Sequence, residues 1–159
     1  MSQEKAKFVY VLYIVSNLEE TFNALIDKEI TKDYWSRRVN DSDWKVGSRW
    51  AHRDYDNPKL VDIVGKVLEF RPPHRLAVTW ALPGDEGNPD KTSQVTYELH
   101  EMADLLRLKV SHENLDPDSE MWRGITQGWP IVLSSLKTLL ETGRPMEMMT
   151  KRWEGPLPD

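Results

Sequence analysis

Four histidines, at positions 52, 74, 100 and 112, are the residues best suited to proton or metal chemistry in this chain. None stands at an i, i+4 spacing on one helix, the arrangement that would bring two ring nitrogens onto one metal ion. The chain has no cysteine, so thiolate nucleophiles, thiolate metal ligands and disulfides are excluded. No glycine-rich phosphate loop is present, and the acidic pairs Glu19–Glu20 and Asp85–Glu86 read as helix-cap and loop charges. His112 is different. The alternation Leu106, Leu108, Val110, His112 puts it on the apolar face of its strand. A histidine there is a hydrogen-bonded core residue, a polar handle that orients a ligand in a cavity, or a general base if a nucleophile faces it. No serine or carboxylate motif nominates that partner, and catalysis needs at least two convergent groups. Aromatic residues join it on the same side of the pattern: Trp80, Tyr97, Trp122 and Trp129 fall on inward faces, with Trp50 and His52 on a neighbouring strand. They form either a packed core or the wall of an aromatic pocket whose indole and phenol groups offer hydrogen-bond donors.

Such residues need elements to hold them. Residues 116–143 have the longest helical period: Trp122, Ile125, Trp129, Val132, Leu133, Leu136, Leu139 and Leu140 form one apolar stripe. Asp116 is the expected cap, with Pro117 at the first helical position. Gly143 is the expected stop, reinforced by Pro145. Gly128 and Pro130 predict a kink near residues 126–130. The remainder reads mostly as strands. Residues 8–15, FVYVLYIV, are β-branched and aromatic. Both of their faces are apolar, which predicts a strand buried on both sides or lying at an interface. Two short helices follow: one of about ten residues within SNLEETFNALID (16–27), capped by Ser16 or Asn17, and one over 30–35 with Thr31 as its cap. Residues 36–43 are polar and read as a loop. Strands are expected at 49–55, 60–71, 75–82, 92–102 and 105–113. Gly65 marks a bulge or a close backbone approach. The last strands alternate dry and wet faces, as in an antiparallel sheet covered on one side. The fold class is therefore α+β: a curved antiparallel sheet of six to seven strands, with two short helices after the first strand. The long C-terminal helix packs across that sheet. Residues 1–143 form one domain, and 144–159 form a tail that Trp153 could anchor.

Composition narrows the function classes. At 159 residues with 39% hydrophobic content the chain can bury a core unaided. A net charge of −5 with scattered Lys and Arg argues against nucleic-acid binding. The apolar run at 8–15 is too short for a membrane span and is a poor signal peptide. The reading is a soluble cytoplasmic protein with no membrane partner and no cofactor.

Several stretches carry a resemblance: GKVLEFRPPHRLAVTW (65–80), VTYELHE (95–101), LRLKVSHENL (106–115) and GWPIVLSSLKTLLETG (128–143). The last is the most specific, a Gly-Trp followed by spaced leucines and ending Leu-Glu-Thr-Gly. The chain resembles homologues of the C-terminal domain of the activator of heat-shock protein 90 ATPase over residues 8–143. That family is part of the helix-grip (START-like) superfamily. The resemblance implies a curved sheet gripping the C-terminal helix with a cavity between them. Gly47-Ser48 stands where family members often have Gly-Gly. The Asn- and Trp-rich motif of the co-chaperone's separate N-terminal domain is not found in this sequence. The expected function is a non-enzymatic module holding a small apolar or amphipathic molecule. Its candidate ligand-binding residues are Trp50, His52, Trp80, Tyr97, His112, Trp122 and Trp129. The alternatives are a chaperone-related interaction domain, a homodimer built on the first strand, and, last, a cyclase- or hydrolase-like enzyme.

Overall fold

Alternation of apolar residues sets the first element. β1 (Ala6–Ile14) turns Phe8, Tyr10, Leu12 and Ile14 towards the core and leaves Val9, Val11 and Tyr13 outside. The computed structural model describes residues 4–155. β1 lies at one edge of a seven-stranded antiparallel sheet of order β1-β7-β6-β5-β4-β3-β2. The other strands are β2 (Arg38–Ser42), β3 (Arg49–Asp54), β4 (Val61–Arg71), β5 (Arg75–Trp80), β6 (Ser93–Met102) and β7 (Leu105–Leu115). The expected burial of both faces of β1 is not seen. Its outer stripe is 42–56% exposed at Val9, Val11, Tyr13 and the following Val15.

Two short helices fill the gap between β1 and β2. In α1 (Leu18–Ile26) the Asn17 side chain accepts the Glu20 N–H at 2.8 Å, satisfying one of the free donors of the first turn. The second helix begins earlier than its sequence pattern suggested. α2 (Lys28–Tyr34) is capped by Asp27, and Thr31 is not a cap but a buried residue whose hydroxyl donates to the Ala24 carbonyl at 2.8 Å. The polar stretch read as a loop contains β2. It pairs with β3 in the register Asn40↔His52, and its only large apolar side chain, Val39, is buried. A strand at a sheet edge needs few apolar residues, so the hydrophobic pattern there is too thin to read.

α3 (Glu120–Thr142) runs across the inner face of the sheet and continues through Pro130. Its cap is Ser119, which accepts the Trp122 N–H at 3.1 Å; the expected start at Asp116 is three residues early. Gly143, at φ 84°, ends the helix in the left-handed conformation that glycine adopts without penalty. Beyond it the chain turns back. A 3-10 turn at Glu147–Thr150 buries Met149, whose carbonyl accepts the Ser36 N–H at 2.8 Å. No helix among the described residues is long and apolar enough to cross a membrane.

Candidate functional site

α3 does not touch the sheet along its whole length. Gly124 and Gly128 lie four residues apart, hence on one helix face, and a Cβ at either would meet no atom within 4 Å. The space they leave is a cavity of about 550 Å³ between the N-terminal half of α3, strands β3–β5 and the chain after α3.

An aromatic cluster forms the cavity's deep wall. Trp35 lies 4.7 Å from His52 and 5.6 Å from Trp129, ring centroid to centroid, and Trp80 lies 5.6 Å from Trp129. Ile63, Ile125, Val132 and Met149 add to the apolar lining. Charge gathers at one side, where Arg38 donates to the Asp62 carboxylate at 2.7 Å and to the Trp153 carbonyl at 3.0 Å. Ser36, held at φ 53°, secures the final segment: its hydroxyl donates to the Lys151 carbonyl and accepts the Trp153 N–H. The C-terminal segment thus contributes Met149, Trp153 and Gly155 to the lining. The indole N–H groups of Trp80 and Trp153 are buried without a partner; an unmatched buried donor costs about 1–3 kcal/mol.

Three of the seven sequence-derived candidates, His52, Trp80 and Trp129, line this cavity. Four do not. Trp50 lies behind Trp80 at 5.5 Å and donates its Nε1–H to the Thr79 carbonyl at 2.7 Å. Tyr97 packs edge-on against Trp129 at 5.9 Å, and Trp122 edge-on against Phe8 of β1 at 6.3 Å. His112 is fully buried with both ring nitrogens engaged: Trp129 Nε1–H donates to Nδ1 at 3.0 Å, and Nε2 lies 2.8 Å from the Ser93 hydroxyl. Because Nδ1 accepts, Nε2 carries the proton and donates to Ser93, which donates onward to the Trp80 carbonyl at 3.1 Å. Burial pushes the His112 imidazole down to about 3, so it stays neutral. It has no free lone pair with which to activate Ser93, and its role is to fix the Trp129 indole in the cavity wall.

His52 has a related arrangement. The Asn40 amide donates to the Leu25 carbonyl at 3.0 Å, which leaves its oxygen to accept His52 Nδ1–H at 2.8 Å. Nε2 therefore bears a lone pair, and it makes no hydrogen bond among the described residues. Burial lowers the imidazole to about 4, against a small opposing pull from Asp62. Sequence reasoning missed Trp35, Arg38 and Asp62, and it read Trp153 as a candidate anchor of the tail but not as part of the cavity lining. Trp35 sits where a helix ends, outside any periodic pattern. Its only signal was its size.

A seven-stranded antiparallel sheet gripping a C-terminal helix around an apolar cavity defines a helix-grip domain. The family model described as "Activator of Hsp90 ATPase homolog 1-like protein" matches residues 16–141, and the chain belongs to that family. No curated protein sequence matches it. Among similar solved structures, CalU16 from Micromonospora echinospora has a TM-score of 0.70 at 20% identity, covering 90% of this chain and 78% of that one. The Aha1 dimer from Colwellia psychrerythraea gives 0.68 at 20%, covering 87% and 98%. An HSP90 activator from Plasmodium falciparum gives 0.69 at 21%, covering 84% and 95%. At these identities the likeness is one of fold.

Proposed function

We propose that the chain is a non-enzymatic binding module that holds a small, uncharged apolar or amphipathic molecule between the sheet and α3. The observation that carries this reading is the bare helix face at Gly124 and Gly128, opposite Trp35 and Trp80 and beside Trp129 of the same helix, which keeps about 550 Å³ free of side chains. A volume of that size with mainly apolar walls and a few polar groups suits a small molecule. An uncharged ligand fits the buried wall, where Arg38 and Asp62 neutralise each other and His52 is neutral; the remaining charged lining residue, Glu120, is exposed.

Filling the cavity from the helix tests the proposal. Gly128→Leu is expected to raise stability by about 1 kcal/mol, since glycine is that much poorer than leucine inside a helix. The same variant is expected to abolish the saturable quenching of tryptophan fluorescence that 2-naphthol produces in the unsubstituted protein. Unchanged binding in Gly128→Leu, or none in the parent, would overturn it.

Family membership favours a second reading, a chaperone-related interaction domain of the Hsp90-activator type. Adding the purified chain to Hsp90 and following ATP hydrolysis decides it: a raised rate supports this reading, and an unchanged rate removes it.

A further inference from the structure

The outer face of the sheet carries a second feature, remote from the cavity. Val9, Val11 and Tyr13 of the edge strand β1 form a stripe that is 42–48% exposed, while the outer side chains of the adjoining strands are polar. Directly across the β1–β7 ladder, Val11 faces Lys109 and Tyr13 faces Arg107. Among the described residues neither cation has an ion-pair partner, and nor does Lys7, which precedes the stripe. By contrast, Arg75 two strands further on, in β5, is engaged by Glu69 and Glu98. Arg107 and Lys109 also line a shallow depression of about 330 Å³ with Arg71, His74 and His100. The acidic groups nearby are Glu69 and Glu98, already paired with arginine, and Glu113 at the far end of β7. A chain with net charge −5 thus concentrates free cations beside its exposed apolar stripe.

We infer that this outer face docks an acidic amphipathic helix of a partner protein, its apolar stripe on Val9, Val11 and Tyr13 and its carboxylates on Lys109 and Arg107. Two features select that occupant. Strand addition at the edge of β1 is obstructed at one end, because α3 already claims the backbone there: Lys137 Nζ donates to the Tyr13 carbonyl at 2.5 Å, and Glu141 accepts the Val15 N–H at 2.8 Å. The face is left open instead. A second copy is disfavoured by charge: pairing two β1 strands antiparallel about Val9 sets Lys7 of one copy beside Val11 and Lys109 of the other. Like charges so placed repel. An acidic helix meets the same groups with the opposite sign, and its apolar side chains at i, i+3, i+4 and i+7 match a stripe running along the strand.

The probe is a fluorescein-labelled synthetic helix with a leucine stripe flanked by glutamates, compared with the same helix flanked by lysines. Fluorescence anisotropy is expected to show the glutamate helix binding roughly tenfold more tightly, with amide shifts confined to β1 and β7. In the double variant Arg107→Glu, Lys109→Glu the preference is expected to reverse towards the lysine helix, a gain that loss of folding could not mimic. Equal or absent binding of the two helices would overturn the inference. So would a preference that survives charge reversal, or concentration-dependent dimerisation through β1. The cavity reading is untouched by any of these outcomes.

Discussion

Replacing Gly65 by alanine is expected to unfold much of the sheet around the cavity, at a cost of about 3 kcal/mol or more. A Cβ built there would lie 2.0 Å from the Thr79 carbonyl oxygen and 2.5 Å from Trp50 Nε1. Those two atoms are themselves joined by a 2.7 Å hydrogen bond that passes over the glycine. Neither can yield cheaply. Thr79 O is backbone of β5, and two residues on Ala81 bridges Val64 of β4 through two 2.9 Å backbone hydrogen bonds. The Trp50 indole is buried against Trp80, which in turn forms the cavity wall beside Trp129. The methyl group therefore costs overpacking, and it also strands a buried indole donor and a carbonyl. Gly124→Ala supplies the contrast: its Cβ meets nothing within 4 Å, and it is expected to stabilise by up to about 1 kcal/mol through helix propensity alone. Urea unfolding of the two variants checks both signs. A Gly65→Ala protein with an unshifted midpoint would show that the indole and carbonyl do not depend on the missing side chain.

Gly65 also shows how far a sequence can be read. That a glycine inside a strand marks a close approach was legible from its type and place; that the approaching group is Trp50 was not, because their contact depends on the β3–β4 register. The same division runs through the molecule. β1, β4 to β7 and α3 were visible because their apolar residues repeat with period two or near 3.6. β2 was not, since its inward residue opposite His52 is the polar Asn40, buried by bonding to Leu25 and His52, and Val39 is its only large apolar side chain. Alternation placed His112 inward correctly but carried no information on its neighbours. Only the helix crossing brings Trp129 Nε1 onto its Nδ1. The cavity wall was half legible for the same reason. His52, Trp80 and Trp129 lie on patterned elements, whereas Trp35 and Trp153 reach the site from a helix end and a tail with no period of their own.

Stability should fall steeply with pH between about 6.5 and 4, before most carboxylates protonate. Two imidazoles are responsible. In the unfolded chain both titrate near 6.5; in the fold burial lowers His52 to about 4 and His112 to about 3. Below pH 6.5 the unfolded state therefore binds protons that the folded state refuses. The stabilisation is complete above the unfolded value and is lost as pH falls, levelling off only beneath the folded values. Each histidine contributes a slope of up to about 1.4 kcal/mol per pH unit, so the unfolding free energy near pH 5 should change by about 2.5 kcal/mol per unit. Exposed ion-paired carboxylates such as Asp56, held low by Arg37, add their loss only at more acid pH. Urea denaturation at a series of pH values counts the protons directly. His112→Gln is the informative variant, since its amide oxygen can accept from Trp129 and its amide nitrogen can donate to Ser93. Its absolute stability will be lower, but the slope near pH 5 should halve. An unaltered slope would mean that His112 is not held neutral by burial. If the slope does halve, the remaining half belongs to His52. That imidazole then stays uncharged at neutral pH, and the cavity wall presents a neutral lone pair without pH dependence down to about pH 5.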